Sequence, residues 1–104
     1  MANYLLTYFG GDGMPESPDE GAQIVKAWTT WFGQLGEALV DGGNPTSQSR
    51  AISPDGSVMD ATMAPTGYSV IKADSLDSAV KAASGCPVLV GGATVVVSET
   101  FSAM

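Results

Sequence analysis

The sequence of 104 residues predicts a single α+β domain built from two successive strand–helix–strand units. The length suits one hydrophobic core, so we take residues 1–104 as one domain. The first unit contains a long amphipathic helix, and the second contains a shorter capped helix between two apolar strands. The element order β-α-β-(β)-β-α-β predicts an antiparallel sheet with both helices on one face, as in ferredoxin-like folds.

The first unit begins with a strand from Asn3 to Phe9, which is rich in aromatic and branched residues. Glycines at 10, 11 and 13 break this strand. Ser17 can then cap a helix, Pro18 suits its first position, and Glu20 completes a capping box. Apolar residues recur at helical spacing as far as Leu39, so we expect a stripe of about four turns that ends at the turn formers 41–45.

The middle of the chain predicts a hairpin. Residues 47–53 have the composition of a strand, the turn signal Pro54-Asp55-Gly56 follows, and residues 57–62 can form a short return strand. In the predicted order, residues 47–53 take the place of the second strand of the sheet.

The second unit is the most informative part of the sequence. It contains a strand from Tyr68 to Ala73, a helix that starts around Ser75 and stops at Gly85 and Pro87, and a strand over residues 93–97. The helix has apolar residues at spacings of three, four and seven. They are Leu76, Ala79, Val80 and Ala83.

The strands of this unit are apolar on both faces, since Val70 and Ile71 are adjacent and residues 95–97 are all valine. An antiparallel sheet in a small domain usually keeps one polar face. The charged fraction of 14% is also well below the value of about 25% in an average domain. Both observations predict a homodimer in which the free sheet faces pack together, making a dimeric α/β barrel.

Composition excludes several classes of function. The net charge is −7 with only four basic residues, which argues against a nucleic-acid partner. No apolar run is long enough for a transmembrane helix, so we expect no membrane partner. Cys86 is the single cysteine and cannot form an intrachain disulfide, and the N-terminus does not resemble a signal peptide. A cytoplasmic protein is therefore expected.

The absence of histidine limits the available chemistry. It excludes Ser-His-Asp and Cys-His nucleophile systems and zinc sites with histidine ligands, and one cysteine cannot build a thiolate site. We therefore expect no metal and no cofactor, and any activity should need neither a metal nor an imidazole. A rate dependence near neutral pH would then come from a carboxylate with a perturbed pKa, and Asp41 is the first candidate.

Several residues could build a small-molecule site, and each has a structural alternative. Trp28 and Trp31 can form an aromatic wall for a planar ligand or belong to the core. Asp41 and Asn44 can be polar groups at a pocket mouth or simply form the turn. Arg50 can clamp a carboxylate or make a surface ion pair.

Tyr68 can offer its hydroxyl to a ligand or be an ordinary strand residue. Because the turn 41–44 connects the first helix to the next strand, we expect these groups to surround a cavity between that helix and the sheet. Its ligand would be an aromatic or carboxylate-bearing metabolite, with Arg50 or Asn44 holding the polar end.

Motifs along nearly the whole chain resemble the YCII-related (YciI-like, DGPF-type) proteins of the dimeric α/β-barrel superfamily. The motifs are Tyr4-Leu5-Leu6, Trp28-x-x-Trp31-Phe32-x-x-Leu35-Gly36, residues 38–45, Thr66-Gly67-Tyr68, residues 73–80, Gly85-Cys86-Pro87, Gly91-Gly92 and residues 94–97. The resemblance implies a ferredoxin-like dimer with a pocket between helices and sheet. Several members carry a histidine on the first helix, paired with an aspartate, and the matching residues 25–28 here contain nothing equivalent.

Two classes of function follow from this resemblance. One is a small-molecule enzyme that works without a cofactor, or a relic of such an enzyme, with an apolar pocket. The other is a non-catalytic ligand-binding or accessory interaction domain, which the missing histidine favours.

Overall fold

The computed structural model describes residues 1–11 and 17–103, and it has an α+β architecture. The predicted break at 10–13 falls partly outside the described residues. The strands are β1 (Ala2–Phe9), β2 (Leu39–Asp41), β3 (Arg50–Ile52), β4 (Val58–Asp60), β5 (Gly67–Ala73) and β6 (Thr94–Glu99). The helices are α1 (Pro18–Leu35) and α2 (Leu76–Ala83), and short 3₁₀ turns lie at Gly36–Ala38 and Pro87–Leu89.

Four strands form one antiparallel sheet in the order β2-β5-β1-β6. The long pair at its centre aligns Tyr4 with Ile71 and Leu6 with Ser69. On the other side of β1, Leu6 lies opposite Val97. β3 and β4 form a separate two-stranded sheet. The expected α+β class and antiparallel pairing are confirmed.

The hydrophobic core lies on one face of the four-stranded sheet. Alternate residues of β1 (Tyr4, Leu6 and Tyr8) are buried there, because successive strand side chains point to opposite faces. Both helices pack against this core, α1 through Trp31 and α2 mainly through Ala79. The central strands therefore bury one row of side chains under the two helices.

The other face of this sheet is apolar but is not covered within the described chain. We call it the open face. On β1, β5 and β6 its larger side chains are Leu5, Thr7, Phe9, Tyr68, Val70, Val96 and one lysine, Lys72. Val96, for example, is 43% exposed. The sequence pattern correctly indicated two apolar faces, and only one of them meets the helices.

Both helices begin where the sequence predicted. The Ser17 hydroxyl accepts a hydrogen bond from the Glu20 amide at 3.1 Å. Ser75 caps α2 in the same way, since its hydroxyl accepts from the Ser78 amide at 3.1 Å. Each cap satisfies one of the backbone donors that a helix start leaves unpaired.

The predicted end of the first helix is wrong. α1 stops at Leu35, because Gly36 adopts a positive φ of 54° and the backbone leaves the helix there. Leu39 then pairs with Ile71 as part of β2 rather than continuing the helical stripe. Leu39 follows Leu35 at a spacing of four, and one apolar residue at that spacing cannot distinguish helix from strand.

The position of the second strand is corrected by the same finding. β2 at Leu39–Asp41 takes that place in the sheet, whereas the predicted strands at 47–53 and 57–62 form the separate pair β3–β4. The hairpin and its turn were therefore predicted at the right residues but assigned to the wrong sheet. Within residues 1–11 and 17–103, no helix combines the length and hydropathy that a membrane span requires.

Candidate functional site

A cleft of about 1430 Å³ opens between α1 and one end of the four-stranded sheet. Its walls come from α1, the end of β1, the segment after β2, the start of β5 and the segment around the second 3₁₀ turn. The lining includes Tyr8, Trp28, Phe32, Asn44, Tyr68 and Val88. The volume exceeds the roughly 300–1,000 Å³ of a typical ligand pocket, so a small molecule would occupy only part of it.

Trp28 is the centre of an aromatic cluster on the cleft wall. Its ring centroid lies 5.8 Å from that of Tyr8, 5.6 Å from Trp31 and 5.5 Å from Phe32, all in tilted or edge-to-face orientations. Such geometries are favourable for aromatic pairs. Trp28 is half-buried and lines the cleft, so its indole is fixed by three neighbours and still reachable from solvent.

Trp31 belongs to the core, although it also borders the cleft. It is 3% exposed, and its indole N–H donates to the Ala82 carbonyl of α2 at 3.1 Å. Gly85 lies against this indole, since a Cβ added at Gly85 would be 3.2 Å from the ring. Trp31 therefore joins the two helices as a core residue, whereas Trp28 packs against the core and is more open to the cleft.

The turn after β2 shapes the rim of the cleft. The Asp41 carboxylate accepts a hydrogen bond from the Gly43 amide at 2.8 Å, which is the geometry of an Asx turn. Gly43 has a φ of 73°, and a Cβ there would lie 1.7 Å from the Tyr68 carbonyl oxygen. Only glycine therefore fits this close approach.

The four predicted residues around this turn separate into two groups. Asn44 and Tyr68 border the cleft, and their backbones are joined by a hydrogen bond of 3.3 Å from the Tyr68 amide to the Asn44 carbonyl. The Tyr68 side chain, however, occupies an open-face position of β5. Asp41 and Arg50 are exposed and do not line the cleft. Asp41 forms the turn, as its structural alternative predicted.

Arg50 makes a surface ion pair. Its side chain is 64% exposed and lies 3.7 Å from the Asp60 carboxylate on the neighbouring strand. The sequence argument brought Arg50 to the cavity because it assumed that its strand follows the helix in the sheet. β2 occupies that place instead, so the polar end of a ligand in this cleft would meet Asn44 and not Arg50.

A buried hydrogen-bond chain beneath the cleft escaped the sequence analysis. The Tyr8 hydroxyl donates to the Ser69 hydroxyl at 2.6 Å, and Ser69 donates to the Gly42 carbonyl at 2.7 Å. Ser69 is fully buried at the core-facing position of β5 between Gly67 and Ile71. A serine at an inward strand position was the signal available in the sequence.

Two buried ionisable side chains, Tyr8 in this hydrogen-bond chain and Cys86, are held in their neutral forms. Burial raises the pKa of Tyr8 above its ordinary value, and it also raises the pKa of the Cys86 thiol. Neither group is thereby prepared as a base or nucleophile at neutral pH. The hydrogen-bond chain from Tyr8 through Ser69 fixes the Gly42 carbonyl to the sheet and so supports the turn at the rim of the cleft.

The cleft combines apolar walls with a few polar groups. Charged lining residues are Glu20 and Lys26 on α1, and amide side chains come from Gln23, Gln34 and Asn44. No cluster of three or more potential metal ligands occurs among the residues that the structure describes. The arrangement can hold a flat apolar molecule against Trp28 and offer hydrogen bonds to its polar end.

No protein-family model matches this chain, and no curated protein is significantly similar to it in sequence.

Proposed function

We propose that this protein is a homodimer that binds a small aromatic metabolite in the cleft beside α1, without catalysing a reaction. The observation that carries the proposal is the indole of Trp28, which is fixed by three aromatic neighbours and still borders the cleft. A rigid aromatic surface next to hydrogen-bonding groups is the usual composition of a site for planar ligands.

A ferredoxin-like, YCII-related fold is part of this proposal. The strand order β2-β5-β1-β6 and the packing of both helices on one core support it. The hairpin β3–β4 is then an insertion between the second and third strands of the sheet.

Dimerisation through the open face is supported by its charge as well as its hydrophobicity. The open-face positions of the described strands β1, β5 and β6 carry one charged residue, Lys72, and no carboxylate. The net charge of the chain is −7, so most surfaces of two copies repel each other. β2 adds one carboxylate at the edge of the sheet, Asp41 opposite Val70. Two copies can therefore meet across the β5, β1 and β6 part of the open face without opposed carboxylates.

Binding is favoured over catalysis by the state of the groups near the aromatic wall. Tyr8 and Cys86 both have pKa values raised by burial, so they stay protonated at neutral pH. Asp41, the base suggested by the sequence, is engaged in its turn and lies away from the cleft. None of Tyr8, Cys86 and Asp41 therefore supplies a proton acceptor beside the aromatic surface of Trp28.

Ligand binding can be tested with Trp28→Ala. Native mass spectrometry of the purified protein should reveal a co-purified small molecule, and naphthalene-2-carboxylate should serve as an added probe that changes tryptophan fluorescence. Removing the indole should weaken probe binding by about 1.5–3 kcal/mol, the value of burying one large apolar side chain. Phe101→Ala, an exposed aromatic outside the cleft, is the matched control. Equal affinity in both variants would exclude the cleft as the site.

Dimerisation can be tested with Val96→Lys. Sedimentation of the wild-type protein at micromolar concentration should give about twice 10.6 kDa. The lysine places a charge within the proposed interface and should shift the protein to monomer. Val25→Lys makes the same change at an exposed position on α1 and should leave the dimer intact. A monomeric wild-type protein would refute the sheet-to-sheet dimer.

A further inference from the structure

The β3–β4 hairpin continues from the sheet as a projecting two-stranded ribbon, which we define as residues 45–52 and 58–67. Pro45 pairs with Gly67, and the Thr46 amide donates to the Thr66 carbonyl at 3.0 Å, so the two chains leave the sheet side by side. Among the described residues, β3 and β4 pair only with each other. The radius of gyration of 15.2 Å agrees with a projecting element, since a compact chain of this length has a value of about 13 Å.

The ribbon exposes large apolar side chains. Ile52 is 74% exposed and Val58 is 64% exposed, and Met59 and Met63 are also exposed. An isolated two-stranded hairpin is only marginally stable in water. A partner surface that covered these side chains would stabilise the ribbon.

One face of the ribbon has a simple arrangement of charge and hydrophobicity. Arg50 lies directly opposite Asp60, and Ile52 lies directly opposite Val58. Opposed residues of an antiparallel pair share a face, and residues two apart on one strand share it as well. This face therefore carries one cationic, one anionic and two apolar side chains.

This arrangement is complementary to itself. A two-fold axis that runs parallel to the strands, outside this face and over the midline of the ribbon, places β3 of one copy over β4 of the other. Arg50 of each copy then lies over Asp60 of its partner, and Ile52 lies over Val58. The symmetry of a homodimer thus pairs opposite charges and apolar side chains at the same time.

We propose that the ribbon is an intersubunit arm, and that this face packs against the same face of a second copy of the chain. The proposal rests on the self-association proposed above and adds a second area of contact to it. Four residues bury too little area for a stable dimer alone, so the arm adds strength and specificity to an association made elsewhere. It also gives a role to Arg50, which the cleft does not use.

The test uses two single charge reversals, Arg50→Asp and Asp60→Arg. In either homodimer the intersubunit pairs have like charges, so each variant should dimerise about tenfold more weakly than wild type. When the two variants are mixed, both intersubunit pairs of the heterodimer have opposite charges. The pairs within each chain still have like charges, so preferential heterodimer formation reports only on contact between subunits.

Native mass spectrometry can resolve the mixed dimer from the two homodimers by mass. The control mixture is Lys81→Asp with Glu37→Arg, which gives the two chains the same net charges at exposed sites away from the ribbon. The expected result is heterodimer enrichment about tenfold above the control mixture. Equal, statistical exchange in both mixtures would overturn the arm while leaving the sheet-to-sheet dimer in place. A wild-type protein that is monomeric throughout would overturn both.

Discussion

The buried chain from Tyr8 through Ser69 to Gly42 provides the strongest test of how this core is built. Ser69→Ala removes the acceptor for the Tyr8 hydroxyl and the donor to the Gly42 carbonyl, bonds of 2.6 and 2.7 Å. Tyr8 is 4% exposed, so its hydroxyl would lose a partner in a place that water does not readily reach. Leaving such a group unpaired costs about 1–3 kcal/mol.

The Gly42 carbonyl is only partly buried and can accept a hydrogen bond from water instead. Losing the bond from Ser69 to Gly42 therefore adds at most about 1 kcal/mol to the destabilisation. The expected destabilisation for Ser69→Ala is therefore about 1–4 kcal/mol. For a domain of this size, each kcal/mol corresponds to a decrease in Tm of about 4–8 °C.

Tyr8→Phe should be milder, at about 1 kcal/mol, because Ser69 keeps its bond to Gly42. The double variant contains no orphaned Tyr8 hydroxyl, so it should be about 1 kcal/mol more stable than the sum of the two single changes predicts. Urea unfolding at one fixed protein concentration, followed by tryptophan fluorescence, measures all three values. The free energy of unfolding of Ser69→Ala could instead lie within about 0.5 kcal/mol of the wild-type value, as for an ordinary surface change. In that case the hydrogen-bond chain does not hold the rim turn to the sheet.

Two further predictions concern ionisable groups. Burial raises the pKa of the Cys86 thiol. Native protein at pH 8 should therefore react with iodoacetamide far more slowly than urea-unfolded protein. Equally fast labelling of both would contradict the buried position of Cys86. In the hairpin turn, hydrogen bonds from the Ser57 amide and hydroxyl lower the pKa of Asp55. Because the folded pKa is lowered, this stabilisation is present above about pH 4 and is lost as the pH falls through the lowered value. The protection of the Ser57 amide, which is its exchange rate relative to the intrinsic rate at the same pH, should therefore decrease as the pH falls below about 4. Asp55→Asn should remove this pH-dependent loss of protection.

Local signals in the sequence determined a large part of this fold. Ser17 and Ser75 predicted both helix starts because a serine cap satisfies backbone donors within one turn and needs no distant partner. The adjacent apolar residues Val70 and Ile71 predicted a strand with two apolar faces, since side-chain direction alternates along any strand. These features depend on neighbours in the sequence, so the sequence alone was sufficient.

Features that depend on distant partners required the tertiary structure. Leu39 fits a helical stripe and a strand equally well, and its pairing with Ile71 decides between them. The same pairing gives β2 the place in the sheet that was predicted for the strand of Arg50, so Arg50 does not line the cleft. Trp28 and Trp31 are three residues apart on one helix and both border the cleft, yet Trp28 is half-buried whereas Trp31 is only 3% exposed and bonded to α2. Periodicity selects the face of a helix that is buried, but only the elements packed against that face decide which of its side chains remain accessible to a ligand.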